Sequence, residues 1–200
     1  AINNKEANNI VVAVADGKAY YSLDSGAAWK ESSPKSDFGI YGEPVLLANT
    51  KGDIFLLHSS NPGGQGPSSD GWLDRIVCQV SKDKGVSWEI AGDFGNDPPK
   101  DQLRPRATSS VKKHVGYATW TQFDKYESSD QACTSNIYFS MTSNGSRWSR
   151  PVQINQTPGD CLDGDKSVRG AIPAISYTGR LYMAWANQGL IYFDRSYDGG

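Results

Sequence analysis

Ser22-Leu23-Asp24-Ser25-Gly26-Ala27-Ala28-Trp29 and Ser81-Lys82-Asp83-Lys84-Gly85-Val86-Ser87-Trp88 share one pattern of serine, aspartate, glycine and tryptophan at fixed offsets. A third passage carries Gly145 and Trp148 at the same interval, with Met141 and Ser143 in the serine and aspartate slots. A fourth, Ser196-Tyr197-Asp198-Gly199-Gly200, supplies serine, aspartate and glycine. Gly26, Gly85, Gly145 and Gly200 recur at intervals of 55 to 60 residues. A constant long period marks a chain built from copies of one supersecondary unit.

Working outward, each copy follows a short apolar run: Ala19-Tyr20-Tyr21, Ile76-Val77-Cys78-Gln79-Val80, Ile137-Tyr138-Phe139 and Ile191-Tyr192-Phe193. A further strand follows the first three, so the motif is a hairpin turn. The aspartate accepts hydrogen bonds from turn N–H groups, the glycine takes the positive φ, and the tryptophan folds back over the hairpin. Those roles are structural, and an aspartate in a turn usually serves the turn. Two more strands precede each hairpin. One is aromatic and carries Phe55, Tyr117-Ala118-Thr119-Trp120 or Tyr182-Met183-Ala184-Trp185. The other begins near a proline: Glu43-Pro44, Arg104-Pro105 and Ile172-Pro173. Proline belongs at a sheet edge or a strand start, which makes this the first strand and the lining of a central channel. Four-stranded antiparallel units repeated in this way predict an all-β fold, a β-propeller. Residues 8–31 and 170–200 would form partial blades, and 43–93 and 104–154 full ones, within one partial propeller spanning 1–200. The set falls short of the roughly 16 strands of even a four-bladed ring. The sequence therefore reads as a fragment, since it stops inside a turn, or as a ring completed by a second chain.

Composition narrows the function classes. With 20 Lys+Arg against 22 Asp+Glu the net charge is −2, which offers nucleic acid no electrostatic footprint. No apolar run is long enough to span a bilayer. The three cysteines, Cys78, Cys133 and Cys161, lack zinc spacing and allow one disulfide. Cys133 and Cys161 fall on long segments of the same face and are the candidates for it; Cys78, inside a strand, reads as a small core residue. A disulfide would point to a secreted, periplasmic or cell-surface protein.

The repeated Ser-x-Asp-x-Gly-x-x-Trp at a blade hairpin resembles the Asp box, or BNR repeat, of the sialidase (neuraminidase) superfamily. On that resemblance the box residues Ser22, Asp24, Gly26, Trp29, Ser81, Asp83, Gly85, Trp88, Gly145, Trp148, Ser196 and Asp198 are structural. The family has six blades. It grips the substrate carboxylate with three inner-strand arginines, and it takes its nucleophilic Tyr–Glu pair from later blades. The resemblance implies a propeller and a glycan-active protein, a glycoside hydrolase or a carbohydrate-binding one. It does not imply a closed catalytic set within these residues, so catalytic residues stay unassigned. No cofactor is required.

In a four-stranded meander the box turns lie on one face, and the two-to-three turns and blade links lie on the other. The second face carries the long segments, and long loops on a rigid scaffold are where binding sites gather. Arg104 and Arg169 each lie 13 residues before the aromatic of the next strand, Tyr117 and Tyr182, and so occupy equivalent places at the channel mouth. Arg106 lies one alternation deeper, and Glu43 sits at a similar height one blade earlier. Arg104 and Arg169 are thus expected either to bind an acidic sugar or to pair with Glu43 and loop acids and tie blades together. Trp72 offers a stacking surface for a sugar ring or a cap for its blade. Asp70, Asp74 and Asp124 are candidate acids with nothing to single one out. Asp160, Asp163 and Asp165 put three carboxylates in six residues, a loop suited to calcium or simply to water. Two sequons start at Asn144 and Asn155, and His58 and His114 have no nucleophile beside them. Three functions stay open: a glycan-active sialidase-like protein, a non-catalytic propeller binding glycan or protein, and a purely structural module.

Overall fold

The computed structural model describes residues 1–61, 63, 64, 66, 69, 71–96, 101–110 and 116–200. Among them every regular element is a strand. The first sheet holds β1 (Ile10–Ala13), β2 (Ala19–Ser22) and β3 (Lys30–Ser32). The second holds β4 (Tyr41–Ala48), β5 (Ile54–Ser60), β6 (Arg75–Ser81) and β7 (Glu89–Phe94). The third holds β8 (Asp101–Ser109), β9 (Gly116–Phe123), β10 (Ser135–Thr142) and β11 (Val152–Gln153). The fourth holds β12 (Arg169–Ile175), β13 (Leu181–Asn187) and β14 (Leu190–Ser196). Each is an antiparallel meander in which neighbours in sequence are neighbours in space.

Burial shows how the sheets stand. Strands β5 and β9 are buried along their whole length, because another sheet covers each of their faces. β13 alternates buried and half-buried residues, so one of its faces is covered. Three apolar layers fill the gaps. Val11 and Tyr21 meet Ala48 and Ile54 between the first and second sheets. Phe55, Leu57, Ile76 and Phe94 meet Leu103 and Trp120 between the second and third. Tyr117, Ile137 and Phe139 meet Val168, Leu181 and Trp185 between the third and fourth. Cys78 lies in the middle layer, where burial raises its thiol well above the ordinary range. His58, fully buried on β5, donates from Nδ1 to the Ser59 carbonyl at 3.0 Å and accepts at Nε2 from Gln79 at 3.0 Å.

The recurring turn has one hydrogen-bond pattern. Ser22 Oγ donates to Asp24 Oδ1 at 2.7 Å and accepts from the Gly26 N–H at 2.8 Å, while Asp24 Oδ1 accepts from the Ala28 N–H at 2.9 Å. Ser81, Asp83, Gly85 and Ser87 repeat it within 0.1 Å. Ser196 Oγ likewise donates to Asp198 Oδ1 and accepts from the Gly200 N–H. Ser25 and Lys84, just before the glycines, take left-handed φ values of 63° and 68°.

The third turn departs from the expected slots. Thr142 Oγ1, not Met141, accepts from the Gly145 N–H at 2.9 Å, and Asn144 Oδ1, not Ser143, accepts from the Arg147 N–H at 3.0 Å. The turn has lost the left-handed residue before its glycine, so hydroxyl and acceptor each shift one position toward it. The indoles also reach further than their own hairpins. Trp29 and Trp148 do donate back to Gly26 and Gly145 carbonyls at 3.0 Å. Trp148 in addition stacks on Phe94 of the preceding sheet, with ring centroids 4.0 Å apart. Trp88 donates to Ser32 Oγ of the sheet before it, at 3.1 Å. Ser32 and Phe94 both lie on the last strand of their sheets, opposite Ala19 and Ile76, so each of these two tryptophans joins its own sheet to the outer strand of the one before, Trp148 two rungs further along than Trp88.

The proline strands β4, β8 and β12 are the edge strands of their sheets, as proline requires. Each breaks register where it enters: between Tyr41 and Val45, Asp101 and Arg104, and Arg169 and Ile172. Bulges at such positions re-aim side chains, and here they lie at the same end of all three strands.

Candidate functional site: an arginine cluster on the inner strands

Arg104 pairs with Thr121 across its sheet, and Arg169 pairs with Ala186 across the next. Each partner lies four residues after the first aromatic of its strand, Tyr117 or Tyr182, so the two arginines do stand on equivalent rungs. Arg106 pairs with Thr119, two residues further in. Gly170, at φ +68°, makes the bulge that brings Arg169 to its rung.

Arg104, Arg106, Arg169 and Glu43 line one cavity of about 180 Å³, together with Thr121, Phe123, Val168, Gly170 and Ala171. Arg106 Nη2 donates to Glu43 Oε2 at 2.6 Å, linking the second and third sheets. Arg104 is held far more fully. Its Nη1 and Nη2 grip Asp163 Oδ1 and Oδ2 at 3.1 and 2.7 Å, a two-point fork. Nη2 also donates to Tyr126 Oη at 2.8 Å, and the guanidinium lies 5.2 Å from the Tyr126 ring centre. Tyr126 Oη donates to Asp163 Oδ2 at 2.6 Å. Arg169 Nη2 meets Asp163 Oδ1 at 3.2 Å.

One carboxylate therefore joins two arginines from adjacent sheets. Burial alone would raise the Asp163 carboxyl, but the hydrogen bonds from Arg104 and Tyr126 and the charges of Arg104 and Arg169 bring it below its ordinary value. Burial works against the Arg104 cation, and Asp163 more than offsets it. Burial and the bond to Asp163 raise the Tyr126 phenol, which stays protonated and donates.

The loop that presents Asp163 is fastened independently. Cys133 and Cys161 form a disulfide with Cα atoms 5.8 Å apart. The Glu127 N–H donates to the Cys161 carbonyl at 2.8 Å, and Asp160 Oδ1 accepts from Ser167 Oγ at 2.8 Å. Asp163 itself takes a left-handed φ of 53°, unusual outside glycine but among the conformations aspartate and asparagine tolerate best.

The other expected site residues scatter. Asp160, Asp163 and Asp165 do not converge, because Asp163 turns to the arginines. Among the described residues no group of three or more His, Cys, Asp or Glu side chains is placed to hold a metal ion. Trp72 packs edge-on against Tyr41, centroids 5.5 Å apart. Asp74 is paired with Arg75, and Asp124 accepts from the Thr134 N–H and hydroxyl; neither lines the cavity. Asp70 and His114 lie outside the described residues. Sequence reasoning gave Tyr126 no role and read Asp163 only as a metal ligand or a loop acid. The cysteine pair flanking both loops was the available signal that they meet.

Neither the scan against protein-family models nor the search of curated proteins finds a match. Solved structures do match. An α-L-arabinanase of Penicillium chrysogenum, complexed with arabinobiose, superposes with a TM-score of 0.60 at 16% identity, covering 90% of this chain and 54% of that one. The GH93 α-L-arabinofuranosidase of Fusarium graminearum gives 0.57 at 15% identity, covering 98% and 66%. A Hadza microbial sialidase gives 0.54 at 15% identity, covering 94% and 44%. The chain thus spans about half the length of the first and the last of these. At such identities the likeness concerns the fold, and the fold of this chain is that of consecutive four-stranded and three-stranded sheets of a β-propeller.

Proposed function

We propose that this chain carries part of the sugar-binding face of a sialidase-like, glycan-active β-propeller, with the cavity between the second, third and fourth sheets as its binding site. The supporting observation is that three inner-strand arginines and Glu43 line that one cavity. Guanidinium groups at a channel mouth suit the carboxylate of an acidic sugar. The most lightly held donor is Arg169, which is 43% exposed and meets Asp163 through one nitrogen at 3.2 Å; Arg106 gives Nη2 to Glu43, itself 72% exposed, and Nη1 to the Pro105 carbonyl. The arabinobiose complexes among the structural neighbours support a glycan ligand in general. The Cys133–Cys161 disulfide supports a secreted, periplasmic or cell-surface setting.

A second reading has its own observation. Arg106–Glu43 and Arg104–Asp163–Arg169 each bridge adjacent sheets, as structural ties would. Calorimetric titration of the intact protein with N-acetylneuraminate and with arabinobiose, for wild type and the Arg106→Ala/Arg169→Ala variant, separates the two. The binding reading expects at least a tenfold loss of acidic-sugar affinity with a near-unchanged melting temperature. A destabilised variant of a protein that binds neither sugar refutes it in favour of ties.

A further inference from the structure

The arginine that the fold holds most firmly is also the one least able to meet a ligand. Both terminal nitrogens of Arg104 are committed to the Asp163 carboxylate, and one is shared with Tyr126. Asp163 is only 19% exposed and does not itself line the cavity; it stands behind the two arginines and draws on both. The charged groups lining the cavity are three guanidiniums and Glu43, and Asp163 adds a second carboxylate against them. An incoming carboxylate must either leave Arg104 to Asp163 or displace a carboxylate that is covalently tethered at high effective concentration.

Resting on the glycan-binding reading above, we propose that Asp163 is a specificity-determining residue: an internal carboxylate that competes with the ligand's own for Arg104 and Arg169 and so weakens the site for anionic sugars relative to neutral ones. The tether is the loop between β11 and β12, pinned two residues away by the Cys133–Cys161 disulfide and again by the Glu127–Cys161 and Asp160–Ser167 contacts. None of those contacts uses the Asp163 side chain, so the loop keeps its place when the charge is removed. Asparagine and glycine both suit the left-handed backbone at this position.

The test is titration of the intact protein, disulfide formed, with N-acetylneuraminate and with its methyl ester, for wild type, Asp163→Asn, Asp163→Gly and Asp163→Glu. Removing the competing charge is expected to tighten binding of the free acid at least tenfold in Asp163→Asn and Asp163→Gly, and to leave the uncharged ester within about twofold, since one charge-assisted hydrogen bond gained is on that scale. Asp163→Glu keeps the charge and is expected to show no such gain. If wild type binds the acid and both neutral variants bind it equally or more weakly, Asp163 only positions Arg104 and the competition is disproved, while the glycan-binding reading stands. If wild type and the neutral variants alike bind neither sugar, both ideas fall. If neither neutral variant folds, as judged by thermal melting, the carboxylate is a structural tie and the competition is again disproved.

Discussion

Replacing Trp148 with alanine tests how the sheets hold together. The indole is partly buried, stacks on Phe94 of the preceding sheet at 4.0 Å and 24°, and packs on the apolar layer formed by Leu47, Phe55 and Trp120. Roughly 100–130 Å² of apolar surface lost at about 25 cal/mol/Å² costs about 3 kcal/mol. The lost stack adds about 0.5–1.5 kcal/mol, and partial collapse of the gap returns some of the total. The expected cost is about 3–4 kcal/mol, or a fall in melting temperature on the order of 10 °C for a chain of this size. Trp29 has the same place in its own turn and the same bond to a glycine carbonyl, but it is 44% exposed and has no ring stacked on it among the described residues. Trp29→Ala is therefore expected to cost about 1 kcal/mol. Urea denaturation of the two variants, followed by far-ultraviolet circular dichroism, measures the difference directly. Equal losses would show that the indoles serve only their own hairpins, and the account of sheet-to-sheet docking would be wrong.

Gly92→Ala should destabilise by at least about 2 kcal/mol, because a Cβ there would lie 2.5 Å from the Ser146 carbonyl oxygen, a backbone atom of the next sheet that has no rotamer to escape into. Gly164→Ala, with nothing within 4 Å, is the control and should stay within about 0.5 kcal/mol by chemical denaturation. In the third sheet Trp120 Nε1 donates to Gln122 Oε1 at 2.8 Å, whereas in the fourth the corresponding Trp185 Nε1 and Asn187 Oδ1 both lack a partner among the described residues. Asparagine is one methylene too short, so Asn187→Gln should raise stability by about 1 kcal/mol, seen as a higher melting temperature; no gain would mean the longer side chain cannot keep its present bond to Thr157. Burial lowers the His58 pKa, and its partners Gln79, Ser59 and Ser60 are neutral. The unfolded chain then binds a proton that the folded one refuses, so this contribution is whole above about pH 6.5 and is lost as pH falls below it, at up to about 1.4 kcal/mol per unit. Denaturation at pH 7 and pH 5.5 should show that slope in wild type and a shallower one in His58→Asn.

The fold could be read from the sequence because each turn is self-contained. Hydroxyl, acceptor and glycine lie within five residues, and their hydrogen bonds close locally, so the pattern survives whatever the rest of the chain does. The misreading of the third turn follows from the same logic. Fixed offsets from Gly145 selected Met141 and Ser143, but a turn is defined by which atoms accept its N–H groups. Thr142 and Asn144 satisfy those N–H groups after the loss of one residue. The constant offset of 13 that placed Arg104 and Arg169 on one rung also holds for a reason invisible in the sequence. The fourth sheet gains a residue at the Gly170 bulge and loses one in the following connection, so the two changes cancel.

The site was only half legible, and the missing half is the part that decides its chemistry. Strand periodicity places Arg104, Arg106 and Arg169, but it says nothing about a carboxylate arriving from a loop 59 residues away from Arg104. Local acidity grouped Asp163 with Asp160 and Asp165, whereas the left-handed backbone at Asp163 turns it out of that group and toward the arginines. Once the partners are known, the three guanidiniums cease to be equivalent. Arg106 faces a 72% exposed glutamate, and exposed ion pairs of this kind contribute little and exchange readily. Arg104 faces a mostly buried carboxylate in a two-point fork with a tyrosine hydroxyl closing the other side, and removing either partner would strand a charge. Arg169 makes one contact to the same carboxylate, at 3.2 Å, and at 43% is the most exposed of the three. Arg169 is therefore the arginine most available to a ligand and Arg104 the least, and Arg104 is the one on which the fold depends most.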